Sequence, residues 1–308
     1  MGQRGQKDGS DSSDFSGDSD SEEYTMKRFL KLNSSSSTTP SAAPPTTVSA
    51  HNTLAPLVAL HLPVTKDQQV YSYPGAPGVS IELMQDSRGG CGGKIWEAGD
   101  FLCRYLIHMK QQAKLQEEEL GGGGHDLPMS SLTPRFPQLD YCEATKKDTT
   151  KQNKSPLILE LGSGTGLVGL YAAKLFPGAT VHITDQIPMM PIMEANLQLN
   201  GLQQSTKALE LNWGEPKPED APIPDVILLA DCVYHEVAFQ PLVQTLKDYS
   251  TRETCILLAY KKRRKADKRF FTLLRKHFDC VEIKTYPDYT IYSRAGVYLY
   301  DIKRKASK

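Results

Sequence analysis

From residue 157 onward the chain alternates short apolar runs with amphipathic stretches, and no other property limits its fold as strongly. Residues 157–161 (LILEL) suit a strand buried on both faces. Residues 167–176 follow as a helix that Pro177-Gly178 stops, and 181–184 are the next strand, ended by Asp185. A helix at 192–199 is closed by Asn200-Gly201. Residues 208–211, 226–230 (VILLA) and 254–260 (TCILLAY) read as three more strands, with helices expected at about 237–249 and 266–277. The last two segments, 280–285 and 297–302, alternate in polarity and lack a helix between them. Strands alternating with helices predict a mostly parallel, seven-stranded, Rossmann-like α/β sheet with helices on both faces. The helix-free final pair predicts an antiparallel hairpin at its edge.

The chain of 308 residues is long enough for such a core. Before the alternation, residues 79–85 (VSIELMQ) read as a strand, and GGCGGKIW turns the chain into an amphipathic helix from 97 to about 112. Residues 54–308 are expected to form one domain, with a low-complexity insertion at about 115–154 that holds four glycines at 121–124 and Pro128, Pro134 and Pro137. Residues 1–53 are expected to be a disordered tail, rich in Ser, Thr, Asp, Gly and Pro with little apolar surface to bury. Its serines within acid runs fit an acid-directed kinase, but a plain solvated tail is the reading its composition favours.

Formal net charge is zero, 36 basic against 36 acidic residues, so no whole-molecule field points to nucleic acid. The balance hides an acidic start and a basic far end, with KKRRK at 261–265. That run follows the fifth strand at the rim; a solvated loop, a docking surface for a protein or its RNA, and a nuclear signal all fit it. Six cysteines show no CxxC pair and no His partner at zinc spacing, which predicts reduced thiols, no metal and a cytoplasmic protein. No stretch approaches the ~18 apolar residues of a membrane span. The polar N-terminus does not read as a signal or transit peptide, and Gln6 breaks a myristoylation pattern. Without a heptad seam, a monomer is expected.

The first strand and helix are joined by Glu160-Leu161-Gly162-Ser163-Gly164-Thr165-Gly166. Glycines there permit a tight reversal and let a ligand approach the backbone. A dinucleotide fingerprint would place its third glycine at 167, where Leu167 stands, and a P-loop would need a lysine. Glu160 is expected beside the ligand, unfavourable for a pyrophosphate and favourable for a cation. Asp185 lies 19 residues after Gly166, at the end of the next strand, placed to accept hydrogen bonds from ribose hydroxyls. Together these predict S-adenosyl-L-methionine, whose sulfonium and ammonium are cationic. A plain glycine-rich turn is the bland alternative.

In open parallel sheets ligands bind beyond the carboxyl ends of the strands. The fourth strand ends in Ala230-Asp231-Cys232-Val233-Tyr234, which sets Asp231 beside the methyl donor with Tyr234 about a helical turn away. A nucleic-acid base methyltransferase would want two prolines after the acid, and Cys232 and Val233 stand there instead.

Several stretches resemble the seven-strand class I protein-lysine methyltransferases grouped as methyltransferase family 16. They are residues 89–106 (GGCGGKIWEAGDFLCRYL), 159–170 (LELGSGTGLVGL), 211–216 (LNWGEP), 228–239 (LLADCVYHEVAF) and 259–271 (AYKKRRKADKRFF). The likeness spans roughly 54–305, leaving out the insertion near 115–154. CGGKIW and AYKKRRKADK are most similar to the fungal subgroup that acts on a lysine of translation elongation factor 1-alpha. The resemblance implies that Gly162, Ser163 and Gly164 form the cofactor loop and Asp185 binds ribose. It implies that Trp213 lies at the adenine pocket, that Trp96 approaches the methionine end, and that the Ala230 carbonyl lines the site. Asp231 and Tyr234 match the family's Asp-x-x-Tyr signature, which implies the catalytic roles. Without the resemblance, both tryptophans read first as packing residues, and the resemblance decides it. A methyltransferase of RNA or small molecules, and an inactive cofactor-binding interaction protein, are the competing readings.

Overall fold

The computed structural model describes residues 51–53, 67–86, 91–119 and 155–306. The expectations for the tail up to 50 and for the insertion from 120 to 154 lie outside the described residues.

Chain order begins with a small sheet. Strand β1 (His51–Thr53) runs parallel to β2 (Asp67–Ser72), which pairs antiparallel with β3 (Ser80–Gln85). Sequence periodicity finds β3 alone. The polar run DQQVYS of β2 has little apolar signal, and β1 falls in the stretch assigned to the tail. Helix α1 (Glu97–Glu119) runs past its expected end near 112, because no glycine or proline interrupts the sequence before 121.

The main sheet holds β4 (Leu157–Leu161), β5 (Thr180–Asp185), β6 (Thr206–Glu210), β7 (Val226–Ala230), β8 (Cys255–Lys261), β9 (Phe278–Glu282) and β10 (Val297–Arg304). Their order is β6-β5-β4-β7-β8-β10-β9. The first five are mutually parallel, and β10 pairs antiparallel with both β8 and β9. The expected edge hairpin is present, with β9 outermost. It is not helix-free: α6 (Tyr289–Arg294) sits in its connection. Six residues are too short for a periodic signal, which is why the alternation reads straight through it.

Helices α2 (Leu167–Leu175), α3 (Met190–Leu199), α4 (Phe239–Asp248) and α5 (Lys268–Leu274) complete the crossovers. The sheet is buried on both faces because neighbouring side chains point to opposite sides. Ile158, Val226, Leu228 and Leu257 join one core with α1 and α2. Leu159, Leu161, Ile227, Leu229 and Ile256 join the other with α4 and α5.

Two asparagines, Asn196 in α3 and Asn200 at its C-terminal cap, dock the small sheet. Asn196 accepts the Met84 N–H at 2.7 Å and donates to the Met84 carbonyl at 3.0 Å, as a neighbouring strand would. Asn200 repeats this at Glu82, with bonds of 3.0 and 2.6 Å.

The chain leaves β4 for β5 and β6 on one side, then crosses back to start β7 on the other. That reversal opens a crevice at the carboxyl end of β4, where ligands of open α/β sheets bind. Among the described residues no helix is long and apolar enough to cross a membrane.

Candidate active site

The loop after β4 turns on glycines in left-handed conformations, with φ of 68° at Gly162 and 55° at Gly164. A Cβ on Gly162 would lie 2.9 Å from Cζ2 of Trp213 and 3.1 Å from Sγ of Cys232. A Cβ on Gly164 would lie 2.5 Å from the carbonyl oxygen of Gly92. The 3₁₀ turn Cys91–Gly93 is therefore packed against the loop, a partner that the glycine motif does not reveal. Gly166 opens α2.

Asp185, at the end of β5, organises this loop. Its Oδ2 accepts the Gly164 N–H at 2.8 Å and its Oδ1 accepts the Gln186 N–H at 2.8 Å. Each oxygen keeps further acceptor capacity for a ligand hydroxyl. Burial raises the carboxyl above the usual range, against the two backbone N–H bonds that lower it. Ser163 is tied to the same strand, donating its N–H to the Thr184 carbonyl at 2.9 Å and accepting the Thr184 N–H on Oγ at 2.9 Å.

Glu160 departs from its expected position. Its side chain turns under the loop, 2 % exposed, and its Oε2 accepts the Gly169 N–H in the first turn of α2 at 2.9 Å. Burial pushes the carboxyl up to about 8, so at neutral pH it is largely protonated. Glu160 braces strand to helix. The alternation of the strand explains this, since Glu160 shares the face of Ile158, which α2 covers.

Across the crevice, β7 ends at Ala230 and the chain turns through Asp231, whose φ of 61° is the one positive value of a non-glycine among the described residues. Aspartate tolerates this conformation better than most residues. The Asp231 N–H still donates to the Ala259 carbonyl at 2.9 Å, extending the β7–β8 ladder by one rung. The thiol of Cys232 donates to the Leu161 carbonyl at 3.1 Å and the Ala230 carbonyl at 3.7 Å, and burial holds it protonated. Tyr234 follows in an irregular segment that precedes the 3₁₀ turn Glu236–Ala238.

The basic run at 261–265 divides between site and solvent. Arg263 pairs with Asp231 through both of its terminal nitrogens, at 2.6 and 2.5 Å. Its guanidinium lies 5.2 Å from the ring centroid of Trp96, over which Lys94 also sits at 3.9 Å. Lys261 pairs with Glu97 at the start of α1. Lys262 and Lys265 are exposed. Sequence reasoning placed the run at the rim and missed that two of its members reach inward. The signal was positional, because residues that directly follow a parallel strand's carboxyl end face the crevice.

Asp231 and Trp96 thus meet through Arg263 beyond β7 and β8, whereas Trp213, Asp185 and Gly162–Gly166 gather on the loop side. The uncovered backbone of the loop and the acceptor capacity of Asp185 fit a nucleoside. Among the described residues no cluster could hold a metal ion.

A profile described as lysine methyltransferase matches residues 76–277 of the chain. The protein-lysine N-methyltransferase EFM6 of Saccharomyces cerevisiae is 34% identical over 251 residues, 76% of this chain and 90% of the yeast protein. The protein N-lysine methyltransferase METTL21A of Danio rerio is 42% identical over 136 residues, 42% of this chain and 61% of the fish protein. Among solved structures, human N-acetylserotonin methyltransferase in complex with SAM is a distant match, with TM-score 0.38 and 14% identity over 49% of this chain and 48% of that one.

Proposed function

The chain belongs to the lysine methyltransferase family and is an S-adenosyl-L-methionine-dependent protein-lysine N-methyltransferase; from that premise we propose that its substrate is a lysine of translation elongation factor 1-alpha, met by Asp231 and Tyr234. The substrate class is a protein, as in its relatives. The proposal of elongation factor 1-alpha is supported by the CGGKIW and AYKKRRKADK segments and their likeness to the fungal subgroup. A cytoplasmic monomer is the setting we propose for it, supported by free thiols at Cys103, Cys232, Cys255 and Cys280 and by a sheet whose faces its own helices cover.

The observation that carries the roles is the buried carboxylate of Asp231, set one residue beyond β7 and beside the glycine loop. When bound, the cofactor supplies an electrophilic sulfonium methyl. In our reading Gly162, Ser163, Gly164 and Gly166 leave the backbone open to it, Asp185 takes the ribose, Trp213 borders the adenine, and Trp96 and the Ala230 carbonyl line the methionine end. The attacking amine must be neutral, yet with an ordinary pKa near 10.4 only on the order of one lysine in a thousand is neutral at pH 7. Asp231 orients that amine, and Tyr234 gives a wall and a hydrogen bond. Holding nucleophile and methyl in line supplies much of the rate. A carboxylate is a poor match for a dedicated base toward lysine.

The test is transfer of tritiated methyl from cofactor to a cell extract lacking the orthologous enzyme, followed by protease or RNase digestion. Label lost to protease alone, and mapped by mass spectrometry to one lysine of elongation factor 1-alpha, is the expected result. Label on another protein removes the named substrate, and label lost to RNase removes the protein acceptor.

A further inference from the structure

The carboxylate at the acceptor position is already covered by a side chain that the family signature does not contain. The two terminal nitrogens of Arg263 face the two oxygens of Asp231 at 2.6 and 2.5 Å, a parallel fork that fixes the plane of a carboxylate as well as its charge. The Asp231 side chain is 4% exposed and that of Arg263 29%, so the pair spans interior and rim. The same guanidinium lies 5.2 Å from the Trp96 centroid, within cation–π range. The surrounding charges are otherwise engaged. Glu97 and Lys261 pair with each other, and Lys94 sits over Trp96. Asp267 accepts the N–H groups of Arg263 and Arg264 and the Tyr260 hydroxyl. The adjacent Cys232 thiol is buried and protonated.

We propose that Arg263 is a positioning residue for methyl transfer, which aims the Asp231 carboxylate and cancels its charge so that it orients the acceptor amine without trapping it as ammonium. The inference rests on the reading that Asp231 meets the acceptor lysine. An uncompensated carboxylate would favour the ammonium and raise its pKa. Binding gained in that way stabilises the unreactive ground state and adds nothing to the transition state. With Arg263 in place, Asp231 accepts a hydrogen bond in a fixed direction while the local field stays near neutral. Arginine suits the role because lysine cannot form the planar fork.

The test is steady-state methylation by wild type, Arg263→Ala, Arg263→Gln and Arg263→Lys between about pH 6.5 and 9.5, a range that samples the lysine titration. Calorimetric affinity for S-adenosylhomocysteine reports whether each variant is folded. Arg263→Ala is expected to lower the acceptor KM several-fold and to lower kcat about tenfold at pH 7.5, with the kcat midpoint moved up by about one pH unit. The deficit then narrows at high pH. Arg263→Gln keeps a hydrogen bond without charge and should show the same alkaline shift, so it carries the test if the alanine variant does not fold. Arg263→Lys keeps the charge and should keep the wild-type midpoint at reduced kcat. A pH-independent loss in the alanine and glutamine variants, with KM unchanged or raised, makes Arg263 a structural prop and overturns the proposal. If wild type methylates lysine but Asp231→Asn retains full turnover, the reading of Asp231 fails first, whatever Arg263 does.

Discussion

The two halves of the crevice are built by different means. On the side of β4 and β5 the work is done by backbone: left-handed glycines, N–H groups donated to Asp185, and a carbonyl of Gly92 lying where a Cβ of Gly164 would go. On the side of β7 and β8 it is done by charged side chains, with Asp231, Arg263, Lys261 and Glu97 locked in pairs and two cations over Trp96. A site made from backbone shape fails by steric blockage, whereas a site made from charge fails by losing rate while it keeps its fold. The comparison therefore predicts that cofactor affinity and turnover separate cleanly by side.

The hardest test of that division is Gly164→Ala. The added Cβ meets a backbone carbonyl at 2.5 Å, and φ of 55° penalises any L side chain. We expect S-adenosylhomocysteine affinity to fall by about 100-fold or more, near 3 kcal/mol, by calorimetry. Loss of turnover with affinity intact would dissolve the division at once. The matching change across the crevice is Asp231→Ala against Asp231→Asn. Each should leave cofactor affinity within about threefold, while alanine lowers kcat by about 100-fold, a usual cost of removing one polar group aimed at the reacting atoms. Asparagine tolerates positive φ and keeps one acceptor oxygen, so it should lose less.

That contrast also explains what the sequence discloses. The strands β4, β7 and β8 are legible because burial on both faces demands near-continuous apolar runs, and the glycine loop because left-handed turns demand residues without Cβ. Asp185 and Asp231 are legible as strand ends. Strand β2, helix α6 and the Asp231–Arg263 pair are not, because polar edge strands carry no period and a pair 32 residues apart leaves no local signal. The direction of a side chain is equally hidden: Glu160 belongs to the loop motif in sequence and to the strand–helix seam in space.

A smaller effect sharpens the comparison by loosening one side alone. Asn196 is fully buried and donates to the Thr165 carbonyl at 2.9 Å, within the glycine loop, while holding both polar groups of Met84. Asn196→Ala strands the buried Thr165 carbonyl and frees the half-buried groups of Met84, which should cost about 1–3 kcal/mol by chemical denaturation. Because only the loop side is touched, cofactor affinity should weaken several-fold while the acceptor KM stays put. A change in the acceptor KM of equal size would mean that the two halves are mechanically one.

The last test concerns cofactor affinity and pH at Glu160, whose carboxyl burial pushes up to about 8 from an ordinary value of 4.5. In the folded protein the group keeps its proton up to about pH 8, whereas the unfolded chain loses it above about 4.5. Between those values the native state holds more protons than the unfolded state, so rising pH lowers stability through that window. Glu160→Gln cannot ionise and retains an oxygen for the Gly169 N–H. Its stability relative to wild type should differ by less than about 1 kcal/mol around pH 5 and gain about a further 3–4 kcal/mol by pH 8, an order-of-magnitude figure from about 1.4 kcal/mol per pKa unit. Denaturation at both pH values measures this directly, and a difference that does not change with pH rules out a buried, proton-holding carboxyl. The same variant checks where the side chain points. With Glu160 under the loop, cofactor affinity stays within about threefold, since no charge toward the ligand is removed; a tenfold loss, about 1.4 kcal/mol, would return Glu160 to the ligand and shift charge onto the side of the crevice that backbone shape now accounts for.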